Sequence, residues 1–310
     1  MRLGAFGSRV RPLPGWITGA VVAGTFLTLA VLEARRPLRR RVEPQCVRTL
    51  RNLAIAVLSA TAIRVTEKPV ADQISRMVVA RRWGLLQRRR LPLWVEDAAG
   101  VVLLDYTLYV WHVLTHKVPL LWRLHAAHHA DLDLDASTAL RFHFVEMVLS
   151  VPWRSAQIVV VGASPRTLSI WQTATLVAIL FHHSNLELPV WLERWLCRLV
   201  TTPRMHGIHH SIVPEETGSN WSTIFSFPDF LHGTIRLNVP QHEITIGIPA
   251  YRRADGLGLA QTLAMPFGEQ RPMLLPEGVR PRRREMHALP PHVLAETRVE
   301  LRRGWKDVVS

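Results

Sequence analysis

The chain has 310 residues, 48% of them hydrophobic, and a formal net charge of +14. That length is ample for a large buried core, while its two cysteines, Cys46 and Cys197, have no pair spacing and argue against a disulfide framework or a cysteine-based metal site. So basic a chain suggests nucleic acid, but its arginines cluster at Arg35–Arg41, Arg81–Arg90 and Arg280–Arg284, beside apolar segments or near the tail, with no nucleic-acid motif; positive flanks against anionic lipid headgroups account for the same charge.

Pro12 to Leu32 carries no charged residue over 21 positions, which predicts a transmembrane helix. The flank that follows, EARRPLRRR, is that of an anchor with a cytoplasmic basic loop rather than of a cleaved signal peptide. Asn52 to Ile63 is uncharged but short, so it spans only by borrowing neighbours such as Arg64, or forms half of a re-entrant hairpin. Gln73 to Arg90 mixes apolar residues with arginines and is expected at the interface. Leu91 to His116 is a third long helical pattern, with Glu96 and Asp97 near its start, Asp105 in its apolar middle and histidines at its end. Phe144 to Pro165 and Thr167 to Phe181 give two more apolar helices, broken at the turn signal GASP. Beyond Glu187 the chain is mixed in character and ends in a basic tail. Trp16, Trp94, Trp122 and Trp191 sit at segment edges, as interfacial belts have them.

The expected fold is therefore all-α: an integral membrane bundle of about four transmembrane helices carrying a cytosolic, histidine-rich helical cap. Residues 1–90 are expected as an anchor with a basic interfacial segment, 91–248 as the functional domain and 249–310 as a basic tail. With the first loop inside, an alternating count puts Arg81–Arg90 outside, against the positive-inside rule. Either that segment lies on the cytoplasmic surface or the second helix does not fully cross.

Twelve of the 15 histidines fall between His112 and His232, where an even spread puts about six. WHVLTH places His112 and His116 at i and i+4. HAAHH places His125, His128 and His129 at i, i+3 and i+4, and HGIHH repeats that spacing at His206, His209 and His210. Such positions share one helix face, about 5–6 Å apart at Cβ, where imidazole nitrogens can converge on one ion or two. Between the groups lie RFHFVE, with Arg141, His143 and Glu146, and FHHSN, with His182 and His183. A single HxxxH is weak evidence, but three patterned groups beside membrane helices form a strong one. Imidazole without thiolate suits zinc, copper, iron and nickel; a structural zinc site closes at four ligands, so this many histidines implies a dinuclear centre.

WHVLTH, HAAHH and HGIHH, in that order, together with DYTLYVWH, TALRFHFVE, FHHSNLELP and SNWSTIFSFPDFLHGT, resemble the fatty acid hydroxylase / sterol desaturase superfamily of integral membrane, histidine-box di-iron oxygenases. The resemblance runs from about Leu91 to Ile248. It implies metal ligands at His112, His116, His125, His128, His129, His206, His209 and His210, and one more from FHHSN: His183, which directly precedes Ser184-Asn185, or His182. The chain departs from the family pattern at Val113, after the first box histidine, at Asn220-Trp221-Ser222, and at Pro228-Asp229 with His232-Gly233-Thr234. These departures bear on the substrate more than on the metal.

The resemblance implies two irons, with zinc as a substitute in a purified sample, and attack of activated O2 on a C–H bond of a lipid or sterol-like substrate from the bilayer. Electrons must come from an external ferredoxin- or cytochrome b5-like donor, and no nucleic-acid partner is expected. Ligating histidines usually donate their other N–H to a carboxylate or carbonyl, so Asp105, Glu146 and Asp229, with Asn220, are the candidates around the metal. Asp105 is expected to orient a histidine from another segment, Arg141 to be a solvated charge, His143 to support the metal site, and His232, His242, His287 and His292 to be structural or surface residues. The location expected is a bacterial inner membrane, multi-pass, with the metal site facing the cytoplasm. The alternatives are a desaturase on the same site and a non-catalytic membrane metal-binding protein.

Overall fold

A computed structural model describes residues 9–89, 91–271 and 275. His287, His292, Arg280–Arg284 and most of the expected tail lie outside the described residues.

The described chain is helical, with only isolated bridges and no strand among the described residues. Helix α1 spans Gly15–Arg35, α2 Gln45–Ala62, α3 Lys68–Arg81, α4 Leu93–Lys117, α5 Pro119–His129, α6 Phe144–Val161 and α7 Pro165–His183. Four helical stretches are long and apolar enough to cross a membrane: Gly15–Arg35, Gln45–Gln87, Leu93–Lys117 and Phe144–Val161. The chain is an integral membrane protein.

The second crossing element decides one alternative and corrects one expectation. Asn52–Ile63 is not half a hairpin but spans together with its neighbours, Arg64 among them, and Gln73–Arg90 is not a separate interfacial segment. Both belong to one helical run in which α2 passes into α3 through a π turn, Ile63–Glu67. Pro69 explains the turn. It has no N–H for the carbonyl one turn back and would crowd it, and π widening just before it relieves the conflict. Basic residues consequently flank both ends of the bundle.

The helices alternate in direction. α4 packs on α7, α7 on α1, and α6 on both α2 and α3. Ala71, Val78, Leu104, Leu108, Ile158, Val161, Leu168 and Trp171 form the apolar core between them. At the end of the bundle away from the histidines, Gly84 and Gly162 both adopt φ +81°, and a Cβ on Gly84 would lie 2.3 Å from the Gly162 nitrogen. Only glycine permits both that backbone and that approach.

At the other end the chain forms the cap from α5, the loop 130–143, and short helices α8 (Val190–Leu196), α9 (Pro203–His209) and α10 (Phe227–His232). A buried ionic network ties α2 to the loop after α5. Arg48, 1% exposed, donates to Asp131 at 2.7 Å and pairs with Asp135, and Asn52 donates to Asp131 at 2.9 Å. Arg141 is not a solvated charge: it is fully buried and donates to the Ala127 carbonyl, Asn52 Oδ1 and Thr262 Oγ1. The charge on the Asp131 loop is met by Arg48, far away in sequence.

Candidate metal centre

The histidine groups all sit in the last turns of helices, for local reasons. α4 stops at Lys117 because Val118 precedes a proline and is pushed to extended backbone (φ −92°, ψ 116°), and Pro119 then opens α5. α7 is started by the Ser164 cap and Pro165 and ends at His183. α9 is started by the Thr202 cap and Pro203, leaving His206 and His209 in its last turn and His210 just past it. Four helix C-termini thus converge, and their partial negative charge favours a cation between them.

The rings meet in two groups of four. Ligand-capable atoms of His112, His116, His125 and His129 lie within 4.8 Å of one another, as do those of His128, His183, His206 and His210. His129, His209 and His210 form a third such group that joins the two. The structure thus brings together nine of the ten candidate histidines. His182 is in no group: its Nδ1 donates to the Thr223 carbonyl at 3.1 Å and its ring packs on His206, 4.0 Å between centroids. Of the pair left open by FHHSN, His183 faces the cluster.

Proton placement argues that something positive belongs between these rings. Nδ1 of His128 lies 3.2 Å from the Arg141 carbonyl and Nδ1 of His183 lies 2.7 Å from the Ile179 carbonyl. A neutral imidazole has one N–H, and a carbonyl can only accept. Both Nε2 atoms are then bare, yet they face each other at 3.1 Å. Nε2 of His206 lies 3.0 Å from that of His183 and 3.1 Å from that of His210. Opposed lone pairs repel unless a cation accepts them, and neighbouring ligands of an ion bound at about 2.1 Å stand about 3.0–3.4 Å apart, from octahedral to tetrahedral geometry.

Nε2 of His116, His125, His129 and His209, and Nδ1 of His129, His206 and His210, are buried with no hydrogen-bond partner. Each such atom costs about 1–3 kcal/mol if nothing meets it. Protonation does not relieve this. Burial, then the neighbouring rings, hold His128, His129, His206, His209 and His210 well below the usual imidazole value of 6.5. A neutral, lone-pair-rich, thiolate-free donor set fits two metal ions.

The groups that fix the rings are mostly carbonyls. Only Glu146, among the described residues, gives a carboxylate to a cluster histidine, its Oε1 lying 3.0 Å from His125 Nδ1. His112, His182 and His209 donate from Nδ1 to the carbonyls of Trp221, Thr223 and Ser219 at 2.8, 3.1 and 2.8 Å. All three carbonyls belong to one short segment, 219–223.

That segment is clamped by the other two acids. Asp229 accepts from the N–H groups of Trp221 and Ser222 at 3.0 and 2.9 Å, and Asp105 from those of Ile224 and Phe225 at 3.1 and 3.0 Å. Burial pushes the Asp229 carboxyl above its ordinary value, opposed by those hydrogen bonds. Asp105 therefore does not touch a histidine, contrary to expectation; it holds the backbone that does. Asn220 likewise touches none. At φ +53° it donates to the Met205 and Arg236 carbonyls, fastening α9 to this segment. His143 caps α6, accepting from the Val145 N–H at 3.2 Å.

Sequence patterns missed the Ser219, Trp221 and Thr223 carbonyls, because a backbone acceptor has no residue signature. They also missed Arg39, whose Nη1 would be 2.3 Å from a Cβ on Gly207, inside the third histidine box. His232 and His242 are exposed at the surface.

Residues 98–234 match the family model for fatty acid hydroxylase. All ten histidines, Asp105, Glu146, Asn220 and Asp229 fall inside that match. Over 257 residues the chain is 27% identical to ornithine lipid hydroxylase OlsE of Rhizobium tropici, covering 81% of this chain and 75% of that protein. It is 26% identical over 139 residues to alkylglycerol monooxygenase of Xenopus tropicalis (45% of this chain, 29% of that one) and 26% identical over 138 residues to cholesterol 25-hydroxylase of Mus musculus (44% and 45%). The chain thus spans about half or less of the latter two. No solved structure matches.

A helical membrane bundle capped by converging histidine groups is the architecture of a membrane metalloenzyme. Residues 98–234, which hold all of these groups, are similar to the fatty acid hydroxylase family.

Proposed function

We propose that the protein is a di-iron lipid hydroxylase of the inner membrane, with the cap on the cytoplasmic side. The observation that carries this is the pair of four-histidine groups joined through His129, His209 and His210, in a donor set without thiolate. It is supported by the relatives, whose printed names are those of lipid and sterol hydroxylases and a monooxygenase.

His112, His116, His125 and His129 would hold one iron, and His128, His183, His206 and His210 the other, with His209 beside both. Two irons, when bound, supply reductive activation of O2 and insertion of one oxygen atom into a C–H bond, the second leaving as water with two electrons and two protons from a donor. Carbonyls of Trp221, Ser219, Arg141 and Ile179 keep the Nδ1 protons of four of these rings, leaving Nε2 to the metal. Glu146 holds His125 the same way. Eight of the ten histidines are buried, and only His112 and His116 are half-exposed. The lipid C–H bond therefore approaches on the side of the first group, between Trp122, 5.0 Å from the His116 ring, and Trp221, 6.4 Å from it. An external ferredoxin- or cytochrome b5-like carrier supplies electrons at the cap, which faces the cytoplasm, where reduced carriers are found.

Metal per chain, measured on detergent-purified protein from iron-supplemented cells, tests this. About two irons, lost in the His128→Ala, His209→Ala double variant, is the expected result. One zinc or none, with the variant unchanged, rejects a dinuclear oxygenase. If zinc fills both places, O2 consumption after iron reloading decides.

A further inference from the structure

We propose that Tyr109 is a redox-active residue: it gives one electron through Trp221 to an oxidised metal centre left without substrate, and its phenolic proton through Thr234 to Asp229. This rests on the oxygenase reading of the site. Tyr109 lies on α4 one turn before His112 and is 4% exposed. No histidine box includes it.

The proton path is continuous. The Tyr109 hydroxyl lies 3.0 Å from Thr234 Oγ1, and Thr234 Oγ1 donates to Asp229 Oδ1 at 2.6 Å. A threonine hydroxyl has one proton. Because Thr234 gives its proton to a carboxylate, it can only accept from Tyr109, which fixes the direction of both bonds. Asp229 also accepts from the Trp221 and Ser222 N–H groups, the partner set of an ionised acid. Both steps are within the reach over which hydrogen-bonded groups pass a proton.

The electron path is aromatic. The Tyr109 ring meets Trp221 edge-on at 6.4 Å between centroids, and Trp221 is 6.4 Å from His116 while its carbonyl accepts from His112. Outward, Tyr109 stacks on His232 at 5.2 Å and on Tyr106 at 6.4 Å, and the Tyr106 hydroxyl lies 3.0 Å from His232 Nε2. His232 is exposed and Tyr106 half-buried, so the stack runs from the metal groups to the surface.

The paired proton path singles Tyr109 out. A phenol that loses an electron becomes a strong acid and holds the positive charge poorly inside a protein, so oxidation needs a proton acceptor in place. Trp111 and Trp153 form another close pair, 5.6 Å between centroids, but the Trp153 N–H is buried without a partner. In the step proposed, Tyr109 loses one electron and one proton and becomes a neutral phenoxyl. The centre gains the electron, Thr234 passes one proton on as it receives another, and Asp229 becomes a carboxylic acid. A surface reductant of the thiol or ascorbate class returns the electron through Tyr106, and the proton returns from Asp229. The oxidising equivalent is thereby drained before it attacks the metal-binding histidines.

The test uses full-length protein loaded with iron, reduced anaerobically with dithionite and mixed with O2 in the absence of lipid. Electron paramagnetic resonance of frozen samples and mass spectrometry of nitroso spin-trap adducts are the readouts, with iron content and O2 uptake measured on the same material. Wild type should give a tyrosyl signal with adducts on Tyr109 or Tyr106. Tyr109→Phe, which keeps the ring, should hold the same iron, lose the signal and gather oxidised histidine faster. Thr234→Val, which cuts the proton path but keeps the phenol, should also lower the radical yield. Full iron and O2 uptake without a tyrosyl signal in wild type, or an undiminished signal in Tyr109→Phe, overturns the proposal. Lack of iron or of O2 uptake instead rejects the oxygenase reading, and the proposal with it.

Discussion

Glu146 Oε1 stands 3.0 Å from His125 Nδ1, both residues buried, and joins the start of α6 to the end of α5. A carboxylate in that place keeps the proton on Nδ1, turns Nε2 toward the metal and raises its basicity. Glu146→Ala should lower metal affinity about 10–100-fold, as removal of such a partner generally does. Glu146→Gln retains an acceptor oxygen and should lose less. Chelator competition on the purified variants orders the three proteins, and equal affinities would make Glu146 a bystander.

The ionic network behind the second box gives a stability prediction. Arg48 lies between Asp131 and Asp135, and all three are at most 2% exposed. Arg48→Met leaves two buried acids short of their main counter-charge, for which about 3–5 kcal/mol is the usual loss. The thermal midpoint in detergent should fall sharply, and metal should leave earlier on heating because His128 and His129 directly precede this loop. Arg253→Met, which removes an exposed partner of Asp255, should leave the midpoint where it was. Equal behaviour of the two variants would contradict the role given to Arg48.

These two sites show what a sequence does and does not reveal. The box spacings at His125, His128 and His129 and at His206, His209 and His210 were legible because ligand geometry on a helix is local and period-bound. The same holds for the break between α6 and α7, marked by the turn signal GASP. The partner of Asp131 was not legible. Arg141 is near in sequence, yet Arg48 reaches it because α2 packs across α6 and its first turns lie against the loop. The α2–α3 run was also hidden: charges at Arg64, Lys68 and Asp72 break the apolar pattern, although the backbone continues through a π turn. Asp105 stands out in the sequence as an acid within an apolar helix, but its partners are amide groups, which no pattern of side chains discloses.

Asp105 and Asp229 should act on the metal without touching it. Each carboxylate accepts two consecutive backbone N–H groups of the 221–225 segment, whose carbonyls hold His112 and His182. Asp105→Asn and Asp229→Asn each turn one acceptor into a donor and strand one N–H, a loss of about 1–3 kcal/mol. Both variants should bind less than the full metal complement. Cobalt-substituted protein provides a check that a merely destabilised fold would not mimic: the ligand-field spectrum of the folded fraction should shift. An unshifted spectrum at normal metal content would make the two acids purely structural.

Proton competition sets the last expectation. His128, His129, His206, His209 and His210 are held below 6.5 in the folded chain by burial and by one another, while the unfolded chain titrates near that value. As pH falls through 6.5 the unfolded chain takes up protons that the folded chain refuses, so stability declines with falling pH. Each histidine contributes up to about 1.4 kcal/mol per pH unit below that point. Metal-stripped protein should therefore be most stable above roughly pH 6.5 and lose its thermal midpoint steeply below it. Metal-loaded protein should hold its midpoint to lower pH, because ions occupying the lone pairs must be displaced first. A midpoint that is flat across this range in the stripped protein would mean that the rings are not buried neutral, and the argument for cations between them would lose its electrostatic basis.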